Sequence, residues 1–260
     1  MHPTRRFYDE LAADYDAVYA DWDAAVARQG AALDTLASAA LGPGGRDVLD
    51  CACGIGTQAL GLAAHGHRVT GSDLSPVATA RAAREAAARG LPFAACAADM
   101  RALPFRSASF DLVVCADNSL PHLLTPHDVR AALGEMRRVL RPGGLLLLST
   151  RPYEQLRREQ PQSTAPQVAV GPDGGRTITF QLWHWHPDGE RYDLEHFQLL
   201  PGDGTWATRT RRATYWALAP AETAGFAEAA GFTETGWHAP VDTGFFQPVL
   251  VAKVARHDDN

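Results

Sequence analysis

The stretch DCACGIGT, Asp50 to Thr57, follows a short apolar run and precedes an Ala/Leu-rich segment. Two glycines two positions apart let backbone N–H groups, and the start of the helix that follows, come closer to a ligand than a Cβ would permit. A nucleotide or nucleoside is the expected guest. Asp73 ends the next apolar run, 17 positions after Gly56, where a carboxylate can accept both hydroxyls of a ribose. The same spacing also fits a nicotinamide dinucleotide, because Gly54, Gly56 and Ala59 satisfy G-x-G-x-x-G/A.

Three further features separate these guests. Asp50, four residues before Gly54, suits an ammonium and would repel a pyrophosphate. Asp99-Met100 ends a third apolar run and pairs an acceptor for an adenine amino group with an apolar side chain for the ring. A fourth run enters the polar turn ADNSLPHL, Ala116 to Leu123. A ribose, an adenine and a zwitterionic amino-acid tail together describe S-adenosylmethionine. Methyl transfer from a sulfonium is an in-line displacement with an excellent leaving group, so the main task is to hold a nucleophile about 3 Å from the methyl carbon in a dry pocket. His122, in the turn, is the best-placed base. Glu154 is placed to orient it and Tyr19 to reach in from the N-terminus; a turn-capping histidine and surface roles are the plain alternatives.

The elements that must position these residues read as an α/β fold. Short apolar runs alternate with helical patterns, the signature of a Rossmann-like, doubly wound, mostly parallel sheet with helices on both faces. Strands are expected at Asp47 to Cys51, Arg68 to Asp73, Pro92 to Asp99, Phe110 to Asp117 and Leu145 to Thr150. Helices are expected from Gln58 to His65, Pro76 to Arg89 and Pro126 to Leu140, the last stopped by Pro142 and Gly143. Residues 1–40 read as an N-terminal helical cap carrying Tyr8, Tyr15, Tyr19 and Trp22, and 41–154 as the nucleoside-binding core. Residues 155–218 read as an antiparallel β lid that begins with a Pro/Gln/Gly-rich connector, and 219–260 as a helix and strand that complete the sheet.

With 46% apolar residues the chain can bury a large core, and its net charge of −6 carries no basic footprint for a phosphate backbone. A small-molecule substrate is expected, with neither nucleic acid nor membrane as partner and a homodimer left open. The four cysteines form no CxxC pair and read as reduced core thiols. No signal peptide or membrane-length apolar run is present, so the expected location is cytoplasmic. His184 and His186 share a strand face without a third ligand at sensible spacing, and no metal is expected.

At these residues the chain resembles the class I SAM-dependent methyltransferases and, within them, the glycine/sarcosine N-methyltransferase-like group. DCACGIG is similar to the D-x-[GA]-C-G-x-G segment that wraps the methionine part of the cofactor, and NSLPHL to the group's NS-aromatic-x-HL. The resemblance implies a cofactor set of Tyr15, Arg28, Asp50, Ala52, Gly54, Gly56, Thr57, Asp73, Leu74, Asp99, Met100, Ala116 and Asp117. It also implies that Arg151 grips an acceptor carboxylate with help from Asn118, with Tyr153 nearby. Asp117 stands where glycine is usual and Pro152 where asparagine is, and Arg28 is only the nearest match for the arginine on the cofactor carboxylate. Five of six tryptophans lie in the lid and C-terminal pieces. They read either as hydrophobic core or, Trp185 among them, as a pocket for a flat acceptor. An aromatic or indole-type natural product is therefore the first acceptor expected, with N-methylation of a small amino acid such as glycine or sarcosine the alternative.

Overall fold

Several helix starts are written as a small polar residue followed by proline. Ser75 and Thr125 cap their helices by accepting the amides of Ala78 and Asp128, and the proline after each fills a position that needs no N–H donor. The computed structural model describes residues 2–171, 174–202 and 204–256. It opens with α1 (Pro3–Leu11), a 3-10 turn (Tyr15–Val18) and the long helix α2 (Trp22–Leu41). There follow β1 (Asp47–Asp50), α3 (Thr57–Ala64), β2 (Arg68–Asp73), α4 (Pro76–Ala88), β3 (Phe93–Ala97), β4 (Phe110–Cys115), α5 (Pro126–Val139) and β5 (Leu140–Ser149). The remainder is α6 (Tyr153–Glu159), β6 (Gln167–Val170), β7 (Arg176–Trp185), β8 (Arg191–Pro201), β9 (Trp206–Trp216), α7 (Pro220–Ala229), β10 (Phe232–His238), α8 (Pro240–Thr243) and β11 (Val249–Val254).

Seven strands form one sheet in the order β10-β11-β5-β4-β1-β2-β3. The five from β3 to β5 are parallel, and β11 and β10 add antiparallel at the edge. The winding reverses between β1 and β4, which opens a crevice beyond the C-terminal ends of the strands. The other four strands form an antiparallel sheet, β6-β7-β8-β9. Along β8 burial alternates, turning Tyr192, Leu194, His196 and Gln198 inward, as the pleat requires. Phe7 and Leu11 of α1 pack into the same cluster as Trp183, Tyr192, Leu194 and Tyr215, so the N-terminus and the second sheet share a core.

Four elements differ from the sequence reading. The N-terminal helical pattern is two helices joined by the 3-10 turn. The connector contains α6 and the edge strand β6. Strand β10, whose Glu234 takes a left-handed φ of 50°, carried no visible alternation. Pro142 and Gly143 do not follow the helix as a stop but lie inside β5, where the register against β4 shifts between Phe110 and Leu112. Among the described residues no helix is long and apolar enough to cross a membrane.

Helix α3, which follows the glycine turn, is seated on α2 through glycine against glycine. A Cβ built on Gly61 would lie 2.5 Å from the Val26 carbonyl oxygen, and one on Gly30 would lie 2.5 Å from Gly61. Gly61→Val must therefore push the helices apart. We expect a loss of about 1–3 kcal/mol in chemical denaturation; an unchanged midpoint would show that the contact can relax.

Candidate active site

The glycine turn leaves β1 with Gly54 at φ 50° and Gly56 at φ 99°, the second capping α3. The turn is pinned from below: Gly54 N donates to Asp73 Oδ2 at 2.9 Å, and Cys53 N donates to the Ser72 carbonyl at 3.0 Å. It forms one wall of a cleft of about 760 Å³. Ala52, Gly54, Thr57, Asp73, Leu74, Asp99 and Met100 line that cleft, and α1 with the 3-10 turn closes it through Tyr8, Tyr15 and Tyr19.

Three acids sit at strand ends, in different surroundings. Asp73 is nearly sealed and accepts from Gly54 N and Ser75 N, yet burial still raises its pKa. Asp50 is wholly buried beneath the turn, with one oxygen held by Ala52 N at 3.3 Å and the other, Oδ2, without a partner. Burial pushes its pKa up to about 7, with the charge of Asp73 adding to the rise. Asp99 is gripped by the Arg101 guanidinium at 2.6–3.1 Å, which holds its carboxyl below the usual range.

A second cavity of about 980 Å³ lies between the first and the antiparallel sheet. Tyr8, Tyr15, Tyr19 and Asp117 line both and form the neck between them. The second cavity is polar where the first is apolar: Asn118, Arg151, Gln181 and His196 face it. The half-buried Arg151 guanidinium is held between the rings of Trp183 and Tyr215, 4.7 and 5.3 Å from their centroids. It donates to Tyr192 Oη at 2.7 Å and Gln181 Oε1 at 3.2 Å, both neutral acceptors. Asn118 accepts the Arg151 amide through Oδ1, while its buried Nδ2 has no partner. His196 Nε2 is likewise buried without a partner, and burial beside Arg211 and Arg151 lowers that imidazole's pKa to about 4.

Several expected site residues are brought together here and several are not. Tyr15, Tyr19, Ala52, Gly54, Thr57, Asp73, Leu74, Asp99, Met100 and Asp117 line the cleft; Asp50, Gly56 and Ala116 lie behind its wall. Arg28 is exposed on α2, on no wall of either cavity. Glu154 points to solvent and pairs with Arg158 at 3.6 Å, so it does not reach His122. Tyr153 is buried behind Arg151, bonded to Tyr192 Oη at 3.0 Å, and Trp185 is turned into the lid, donating to the Pro161 carbonyl. His122 lines the cleft, but its Nε2 lies 2.8 Å from Tyr8 Oη and burial depresses its pKa to about 3. At neutral pH the ring is uncharged, a weak base whose Nε2 is engaged with Tyr8. Tyr215, Gln181, Gln247 and His196 were not singled out as site residues. The strand alternation of YDLEHFQLL marked His196 as inward or outward, but nothing local chose between the two.

Comparison with known proteins follows the same lines. Residues 48–144 match the family model described as a methyltransferase domain. The chain is 33% identical over 211 residues to the glycine/sarcosine N-methyltransferase of Parasynechococcus marenigrum (strain WH8102), covering 78% of this chain and 75% of the relative. It is 43% identical over 103 residues to the demethylmenaquinone methyltransferase of Thermus thermophilus, covering 39% of this chain and 45% of that one. Among solved structures, the sugar N-methyltransferase KedS8 from Streptoalloteichus sp. superposes with a TM-score of 0.72 at 24% identity, covering 89% of this chain and 88% of that one. CalS10 from Micromonospora echinaspora, an amino pentose methyltransferase, gives 0.72 at 22% identity over 93% and 94%. At such identities these two likenesses speak for the fold alone.

The environment of Asp50 sets a pH dependence. An aspartate titrates near 4 when unfolded but near 7 when buried here, so folding carries no penalty from Asp50 below about pH 4. The penalty grows as pH rises to about 7 and is complete above it. Asp50→Asn removes the charge and keeps the shape. We expect the variant, without ligand, to melt higher than the parent at pH 8 and alongside it at pH 4; equal melting at both would remove the unpaired carboxylate.

Proposed function

The chain belongs to the class I S-adenosylmethionine-dependent methyltransferases, and from that premise we propose that it methylates the nitrogen of a small polar amine whose anionic or hydrogen-bond-accepting end lies against Arg151. The observation that carries this reading is a half-buried cation, Arg151, in the wall of a polar cavity that shares Tyr8, Tyr15, Tyr19 and Asp117 with the cofactor cleft. A partly desolvated cation whose hydrogen-bond partners are neutral favours an anionic guest. Glycine and sarcosine, the substrates in the name of the Parasynechococcus relative, fit that description. An amino pentose, as in the name of the Micromonospora echinaspora structure, would engage the same donors through its hydroxyls.

The aromatic acceptor expected first is less well supported. The lid rings that could stack on it are occupied by one another: Trp183 on Tyr192 at 4.7 Å and Tyr192 on Tyr215 at 5.3 Å, with Arg151 over two of them. Such stacks fit a lid core better than an open aromatic slot.

When bound, S-adenosylmethionine supplies an electrophilic methyl on a sulfonium. Asp73, at the mouth of the turn, keeps lone pairs for the ribose hydroxyls, and Gly54 offers a backbone surface that no Cβ obstructs. Asp50 has an unsatisfied carboxylate oxygen behind the same turn, an environment that an ammonium would relieve. Leu74 and Met100 offer apolar surface to an adenine, with Asp99 beside them. Tyr15 and Tyr19 exclude water over the neck.

Calorimetric titration with S-adenosylhomocysteine tests the cofactor half. Asp73→Ala should weaken binding by about 1–3 kcal/mol, the cost of a charge-assisted hydrogen bond lost from a buried site. Unchanged affinity would put the ribose elsewhere. For the acceptor half, Arg151→Lys should raise the KM for glycine or sarcosine while leaving S-adenosylhomocysteine affinity within about twofold, because lysine keeps the charge and loses the planar fork. A variant with unchanged KM would sink the role given to Arg151.

A further inference from the structure

We propose that Asp117 receives the acceptor's ammonium group at the neck and takes its proton before methyl transfer, an inference that rests on the amine reading above. Asp117 lines both cavities, where the reacting nitrogen must pass from one to the other. Its backbone is left-handed at φ 53°, and Asn118 follows at φ 65°. Consecutive residues with side chains seldom adopt that state, which costs free energy that the surrounding contacts must offset. Three elements fix the pair: Asp117 N donates to Ser149 Oγ at 2.8 Å, Tyr19 Oη donates to Oδ2 at 3.2 Å, and Gln247 Nε2 donates to Oδ1 at 3.3 Å. Both side-chain contacts are long and single, so each carboxylate oxygen keeps capacity toward the cavities.

The chemistry needs an acceptor of protons at this place. An ammonium has no lone pair, so nitrogen cannot attack until a proton leaves. The groups that face Asp117 are Tyr8 from α1, Tyr15 and Tyr19 from the cap, Tyr215 from β9 and Arg151 after β5. Burial holds Tyr8, Tyr15 and Tyr19 well above their ordinary pKa and Tyr215 at about 12, so all four are neutral donors. Arg151 is a permanent cation, and His122, whose Nε2 meets Tyr8, lines the cofactor cleft but not the second cavity. Among the described residues of the neck, the carboxylate of Asp117 is the remaining base. Donors lie on the other side: Asn118 Nδ2, buried without a partner, and Arg151. This polarity turns the anionic end of a guest toward Arg151 and its cationic end toward Asp117.

In the step, one N–H bond of the ammonium breaks, its electron pair stays on nitrogen and the proton passes to a carboxylate oxygen of Asp117. The nitrogen uses that pair to form the N–C bond while the C–S pair leaves with sulfur. The proton on Asp117 goes to solvent when the methylated ammonium departs, so one proton is released per turnover.

The test uses the whole chain with glycine, sarcosine and glucosamine as amines and glycolate and glucose as their hydroxyl counterparts. Wild type should methylate at least one amine and neither hydroxyl compound. With that amine, Asp117→Asn should raise KM by about tenfold or more while S-adenosylhomocysteine affinity, read by calorimetry, stays within about twofold. Its kcat/KM should climb about tenfold per pH unit below the amine's pKa, following the neutral amine, where wild type is flatter. Asparagine tolerates the left-handed state, and Asp117→Gly provides a second variant should asparagine fail to fold. A wild-type KM and pH profile in the variants would overturn the proposal, and so would a loss of S-adenosylhomocysteine affinity matching the loss of amine affinity. Methylation of a hydroxyl compound alone would overturn it and leave the methyltransferase standing. No methylation of any of the five, with normal S-adenosylhomocysteine binding, would overturn the amine reading and this inference together.

Discussion

A carboxylate removed from water is expensive, and this fold places three around one crevice, of which only Asp117 has a cation, Arg151, near it. Asp50 ends β1, Asp73 ends β2, and Asp117 lies two residues beyond β4. Burial raises all three. The strand ends are forced into this relation by the parallel order β4-β1-β2, which carries every C-terminus to the same edge. Such a site repels phosphates and suits a ligand with positive charge, an ammonium or a sulfonium. Much else can be read as building around that negative crevice.

The cap keeps the crevice dry and is fastened at several points. Ser75 Oγ donates to Asp9 at 2.6 Å, and Arg81 reaches the carbonyls of Ala12 and Ala13 at 2.8 and 3.0 Å, which ties the cap to α4. Gln198 Nε2 donates to the Asp14 carbonyl at 3.1 Å, and Arg209 and Arg211 both reach the Asp14 carboxylate, which ties it to the second sheet. The 3-10 turn between these attachments hangs Tyr15 and Tyr19 over the neck. The lid contributes opposite electrostatics. Its stacked rings form a low-dielectric wall that holds one guanidinium, so the two ends of the second cavity differ in sign.

How much of this was legible in the sequence varies with the range of the interaction. Parallel strands buried on both faces read as plain apolar runs, so β1, β2 and β4 were visible within a residue or two, and with them the acids at their ends. The glycine turn was visible because its backbone state excludes most side chains. Strand β10 was not, because an edge strand with one covered face and a bulge keeps no simple alternation. The Arg-Pro-Gly-Gly stretch was read as a helix stop because its residues break helices; the neighbouring strand instead absorbed it through a register shift.

The sequence by itself determined the crevice: the strand order of types, the turn of small residues, and the acids at the strand ends. These depend on contacts between residues near in the chain, which composition and spacing record directly. Only the tertiary structure decided the rest of the site. It turned Glu154 to solvent and Trp185 into the lid, and it made His122 a buried neutral partner of Tyr8, 114 residues away. It also set Arg151 against rings from β7 and β9 and placed Asp117 between two cavities. Protonation and access are set by desolvation and by neighbours from distant segments, and no local pattern encodes which segments those are.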